Sequence, residues 1–136
     1  MKVCTVCWDK SCNHSYQYKA EIDDNISDII CILNRKGYKT LYCCGGHISE
    51  DNILQGYLPN IYIAFNKYNS KVINMDTSPL GENWTWNKTN ATLRYFLKEA
   101  KQFKNKSMND KDILLVTDIL NNEINRLKEF VILLDK

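Results

Sequence analysis

Two short chelating pairs, Cys4-x-x-Cys7 and Cys44-x-x-His47, stand 36 residues apart in this chain of 136. If one ion is held by both, the N-terminal segment must fold back onto the middle of the chain, and few topologies satisfy that. A two-residue gap lets a tight turn aim both side chains at one ion with tetrahedral angles. Gly45-Gly46 allows the backbone conformations such a turn requires. Thiolate and imidazole are the ligands Zn²⁺ prefers, and four protein ligands close the site against water, which makes it structural. The expected ligands are therefore Cys4, Cys7, Cys44 and His47. A local alternative is Cys4, Cys7, Cys12 and His14, four donors within eleven residues, although Asp9-Lys10-Ser11 lacks a glycine turn. A set mixing the two, with Cys12 or His14 replacing a ligand, is a third possibility. Cys43 must face away from Cys44 by the period of two along a strand, so both reach one ion only across a bulge. Cys31 lies among apolar residues, where a free thiol behaves as a small hydrophobe.

Six cysteines in a short chain signal a disulfide framework only behind a secretory leader. Met1-Lys2-Val3-Cys4-Thr5 does not begin one, and no apolar run reaches the ~20 residues of a bilayer span. The expectation is a cytoplasmic protein with reduced or metal-bound thiols and no membrane partner. The formal charge of +2 is far from the Lys/Arg excess of a chain that lives on phosphates. The stretch from Arg94 to Lys111 is the exception: Lys98, Lys101, Lys104 and Lys106 also fall there, against Glu99 and Asp110. It reads as a solvated linker or a basic ridge. Lys, Asn and Ile supply 45 of the residues, the bias of AT-rich coding.

Ile22, Ile26, Ile29, Ile30 and Leu33 recur at helical spacing, so the pattern predicts an amphipathic helix over 21–36, capped by Asp23 or Asp24 and ended at Gly37. Strands are expected at 38–43, at 60–65 where Ile61, Ile63 and Phe65 alternate with Tyr62 and Ala64, around Trp84-Thr85-Trp86, and at 91–98, the last being ambiguous with a helix. A loop should join the first two. From Asp110 to Leu134, the apolar residues Ile113, Val116, Leu120, Ile124, Leu127, Val131 and Leu134 step by threes and fours, after a Ser107-x-x-Asp110 sequence resembling a capping box. The result is one domain over 1–136 of the α+β class, an antiparallel sheet covered by two helices in two layers with an N-terminal zinc knuckle. Its parts are a knuckle segment at 1–20, a core at 21–98, a basic linker at 99–109 and a C-terminal helix at 110–135.

The run Leu33-Asn34-Arg35-Lys36-Gly37-Tyr38-Lys39-Thr40, continuing to Cys43-Cys44-Gly45-Gly46-His47, resembles small uncharacterised proteins of low-GC bacteria and their phages. That resemblance spans roughly 20–97 and implies no activity. Thr40 to His47 is also similar to the Thr-Ser-Ser-Cys-Ser-Gly-Arg segment of tRNA wybutosine-synthesis proteins, with His47 where that motif has arginine. This implies S-adenosylmethionine-dependent RNA modification as one function.

No GxGxxG, Walker loop or HExxH is present. A Cys44–His47 nucleophile and base would need an orienting group such as Glu50 or Asp51. The leading expectation is a binding protein rather than an enzyme, stabilised by structural Zn²⁺. It would be an accessory or anti-defence protein of a phage or mobile element that occupies a host protein's surface as a monomer or homodimer. Trp84, Trp86, Tyr57 and Tyr62 are candidate interface or core aromatics. A nucleic-acid-binding module using residues 94–111 is the alternative.

Overall fold

The computed structural model describes residues 1–135; Lys136, the last residue of the expected domain, lies outside the described residues. The chain begins with strand β1 (Lys2–Cys4), which pairs antiparallel with β2 (Lys19–Glu21), Val3 opposite Ala20. A single 3-10 turn at Asp24–Ile26 then leads into helix α1 (Ser27–Arg35). The helix is thus shorter at its start than the apolar spacing predicts. Lys19–Glu21 are taken by the hairpin, and the Ile22 N–H donates to the Met1 carbonyl at 2.9 Å. Neither Asp23 nor Asp24 caps α1, whose N-cap position is Ile26. Its C-terminal end is as expected, with Gly37 at a φ of 91°.

Next come β3 (Thr40–Cys44), helix α2 (Glu50–Leu54) and β4 (Asn60–Phe65). Helix α2 occupies the expected loop; Ser49 caps it by accepting from the Asn52 N–H at 3.3 Å. A short helix α3 (Ser70–Ile73) precedes the hairpin β5 (Trp84–Asn87) and β6 (Thr92–Phe96), and α4 (Asp110–Leu133) ends the fold. The ambiguous segment is a strand. The capping box of α4 lies two residues beyond the one expected: the Asn109 side chain accepts from the Asp112 N–H, and the Asp112 carboxylate accepts from the Asn109 N–H.

The structure is α+β with two antiparallel sheets, not one. The N-terminal hairpin is separate from a four-stranded sheet in the order β3-β4-β6-β5. One face of that larger sheet contributes Ile61, Ile63, Phe65, Leu93 and Tyr95 to the core, where they join Ile26, Ile29, Ile30 and Leu33 and the α4 stripe Val116, Leu120, Leu127 and Val131. Trp84 is buried here too, its indole N–H donating to the Glu123 carboxylate at 2.8 Å, while Trp86 meets the edge of Phe65. Residues 98–103, expected as part of a linker, form a 3-10 helix that buries Ala100 and Phe103. Lys36 reaches across to α4, donating to the carbonyls of Val131 and Leu134 at 3.0 and 2.7 Å. Among the described residues no helix is long and apolar enough to cross a membrane.

Candidate metal centre

The turn after β1 carries the first group of ligands. The Trp8 N–H donates to the Cys4 carbonyl at 2.9 Å and the Cys4 N–H to the Asp9 carbonyl at 3.1 Å, so the chain doubles back within five residues. Trp8 adopts a φ of 55° and supplies the left-handed turn itself. The Asp9 carboxylate then accepts from the Lys10 N–H at 2.7 Å, setting the exit from the turn. These two devices replace the glycine whose absence argued against a local ligand set.

As a result Cys4, Cys7, Cys12 and His14 converge, with one ligand atom from each lying within 4.8 Å of all the others. His14 Nδ1 stands 3.5 Å from Cys4 Sγ and 3.3 Å from Cys12 Sγ. A tetrahedral ion with bonds of about 2.3 Å to sulfur and 2.0–2.1 Å to nitrogen sets its sulfur and nitrogen ligands about 3.6 Å apart, so both distances suit one. Burial falls from Cys4, which is fully buried, to His14, which is exposed. At Cys12 the electrostatics already favour thiolate. Lys19 Nζ lies 3.0 Å from Cys12 Sγ. Its ammonium, followed by hydrogen bonds from His14, holds the Cys12 thiol at about 6. Desolvation pushes Cys7 the other way, above the ordinary thiol value. All six cysteines are free.

Cys44 and His47 belong to a second group with Asp23. The four ligands expected to share one ion are thereby divided, Cys4 and Cys7 in one group and Cys44 and His47 in the other. In the second group the Asp23 side chain accepts from the Gly45 N–H at 2.8 Å instead of capping α1. Asn25 adds a hydrogen bond to the Gly45 carbonyl at 3.0 Å. The double-glycine turn is thus tied to the segment before α1. Cys43 and Cys44 face opposite ways as the period of two requires. Cys43 pairs with buried Ile63, and burial pushes its thiol up to about 11. Cys44 pairs with Tyr62 on the outer face. Cys31 is a core residue.

No family model, curated protein or solved structure matches the chain.

The outer face of the four-stranded sheet holds residues that strand patterns alone do not single out. Tyr62 and Arg94 are directly opposite on β4 and β6. The Arg94 guanidinium sits 5.3 Å from the Tyr62 ring centre and 5.7 Å from that of Phe96, stacked by cation–π attraction. Arg94 Nε is buried without a hydrogen-bond partner, and no carboxylate pairs with the side chain among the described residues. Tyr42, 71% exposed, shares this face through its partner Ala64. No acidic residue occupies an outward position of β3, β4 or β6. Of the aromatics expected at an interface or in the core, Tyr57 is exposed, Tyr62 and Trp86 are half-buried, and Trp84 is core.

Proposed function

We propose that this chain is a small binding protein, stabilised by Zn²⁺ at Cys4, Cys7, Cys12 and His14, that acts by protein–protein contact through the open face of its larger sheet. The observation that carries the reading is the cluster of Tyr62, Arg94 and Phe96, with Tyr42 beside it, on a face free of carboxylates. Tyrosine and arginine give large contact area with few rotatable bonds and dominate interface energetics. Zinc fits the other half of the molecule: three thiolates and one imidazole form a closed structural set. The net negative charge of such a centre is offset by Lys19 at Cys12. A hairpin of two three-residue strands buries little apolar surface, so metal binding supplies folding free energy that packing there cannot.

The test is site-specific photo-crosslinking. A benzophenone side chain placed at Phe96 or Tyr42 should capture the same protein in the producing cells, and Arg94→Ala should abolish the capture. A probe at Leu133, 82% exposed on α4, should not capture it. Identical products from all three positions would overturn the sheet-face reading.

One observation favours a second reading, a single-stranded nucleic-acid platform. Arg94 lacks a partner for Nε and is flanked by two rings, an arrangement suited to base stacking beside a phosphate. Exposed Lys98 and Lys101 lie on the 3-10 segment that follows β6. Anisotropy of a labelled oligonucleotide should then show salt-dependent binding that Arg94→Ala or Lys101→Glu weakens. No binding at low salt removes this reading and leaves the protein–protein one.

A further inference from the structure

We infer that Asp23, Cys44 and His47 form a second metal site, distinct from the N-terminal one and open where that one is closed. The three ligand atoms lie within 4.8 Å of one another. His47 Nε2 is 3.3 Å from Asp23 Oδ2. That separation is long for a charge-assisted hydrogen bond, which prefers about 2.7–2.9 Å. It equals the distance of about 3.3–3.4 Å between nitrogen and oxygen ligands on a tetrahedral Zn²⁺ with bonds near 2.05 Å.

The set is held from behind. The Gly45 N–H fixes the Asp23 carboxylate, and Asn25 fixes the Gly45 carbonyl. A Cβ at Gly45 would stand 1.9 Å from Asn25 Oδ1, so the backbone approaches as closely as glycine allows. Gly46, at a φ of 78°, completes the turn that brings His47 back toward Asp23. This supporting shell orients the ligands, as outer-shell hydrogen bonds do in known metal centres.

Three protein ligands leave one tetrahedral position free. Beside two of the ligands is a cavity of about 180 Å³ lined by Cys44 and His47 together with Ser49, Asn52, Tyr57 and Asn60. Thiolate, carboxylate and neutral imidazole balance the charge of a divalent ion. The fourth ligand is then a water or a small neutral or singly charged donor, and it exchanges with solvent. The site is placed to take such a molecule at the rim of the sheet face, since Cys44 is the cross-strand partner of Tyr62. It involves none of the N-terminal ligands and stands or falls separately from them.

The experiment is Co²⁺ and Zn²⁺ titration of the full chain after stripping with chelator, read by visible absorption and elemental analysis. Wild-type protein should take up about two equivalents per chain, falling to about one in His47→Ala and in Cys12→Ser. His47 is exposed, with 73% of its side chain accessible, so its removal leaves the core intact; far-ultraviolet circular dichroism checks this. Added imidazole or thiocyanate should alter the Co²⁺ bands of Cys12→Ser, where only the open site remains, and leave those of His47→Ala unchanged. A single equivalent retained in His47→Ala and lost in Cys12→Ser would overturn the second site while sparing the first. Two equivalents unaffected by His47→Ala, or bands in Cys12→Ser that added ligands do not move, would overturn it as well. Uptake of no metal would overturn both sites.

Discussion

Among the described residues Glu123 is the one buried carboxylate, 8% exposed, and its partners are few. The Trp84 indole N–H donates to Oε2 at 2.8 Å, and Arg126 Nε stands 3.5 Å from the same oxygen. Trp84→Phe keeps an aromatic ring against Tyr95, whose centre is 5.4 Å from that of Trp84, and removes the donor. A hydrogen bond to a charged group is worth about 1.5–3 kcal/mol, and the carboxylate left behind is buried with only a long contact to a half-exposed arginine. We expect a loss of about 2–3 kcal/mol on this basis. With a urea slope of 1–3 kcal/mol/M for a protein of this size, the midpoint should fall by about 1 M. The assay is urea unfolding followed by circular dichroism at saturating zinc, because metal occupancy otherwise shifts the apparent stability. Glu123→Met alone should cost less than Trp84→Phe, since an unpaired indole N–H is a cheaper orphan than a carboxylate. The double variant should cost less than the two singles together by at least about 1 kcal/mol. Strict additivity, or a Trp84→Phe cost under about 0.5 kcal/mol, would show that the sheet and α4 are not joined through this bond.

Leu127, fully buried, should cost about 2–5 kcal/mol on replacement by Ala in the same unfolding assay, and less than about 1 kcal/mol would mean that α4 packs differently. Lys36→Met removes a cation from the C-terminal carbonyls of α4 and should cost about 0.5–2 kcal/mol, with amide exchange accelerating first in the last turn. In metal-free protein, iodoacetamide should modify Cys12 with a pH midpoint near 6, and Lys19→Met should move that midpoint up toward an ordinary thiol. The sign follows from a thiol that ionises more easily in the folded state than in the unfolded one. Its stabilising pairing with Lys19 is complete above the unfolded thiol value and is lost as the pH falls through about 6.

The long regular elements were legible in the sequence because their cores repeat. Ile61, Ile63 and Phe65 alternate, and Val116, Leu120, Leu127 and Val131 step by helical turns, so β4 and α4 follow from periodicity. The hairpin of β1 and β2 was not legible, since three residues are too few to show a period. The grouping of the ligands was hard to read for a related reason. Glycine is the usual sequence mark of a tight turn, whereas here Trp8 accepts the left-handed conformation and Asp9 braces it. Asp23 looked like a helix cap, and only the folded chain brings the Gly45 N–H within its reach across 22 residues. The Arg94 stack was out of reach too, because it depends on β4 and β6 being neighbours although β5 precedes β6 in the chain.

The register of β3 also governs how copies of this molecule behave in a crowded solution. Thr40 pairs with Phe65 and Tyr42 with Ala64, which leaves Leu41 as a surplus residue. β3 is an outer strand, and its sequence of Thr, Leu, Tyr and two Cys is apolar enough to recruit a stray strand from another chain. The extra residue spoils the regular spacing of free N–H and C=O groups along that edge, so a visiting strand can match only a few of them before falling out of step. Leu41, exposed and without a cross-strand partner, is the kind of irregularity that blunts an open border against pairing with another copy.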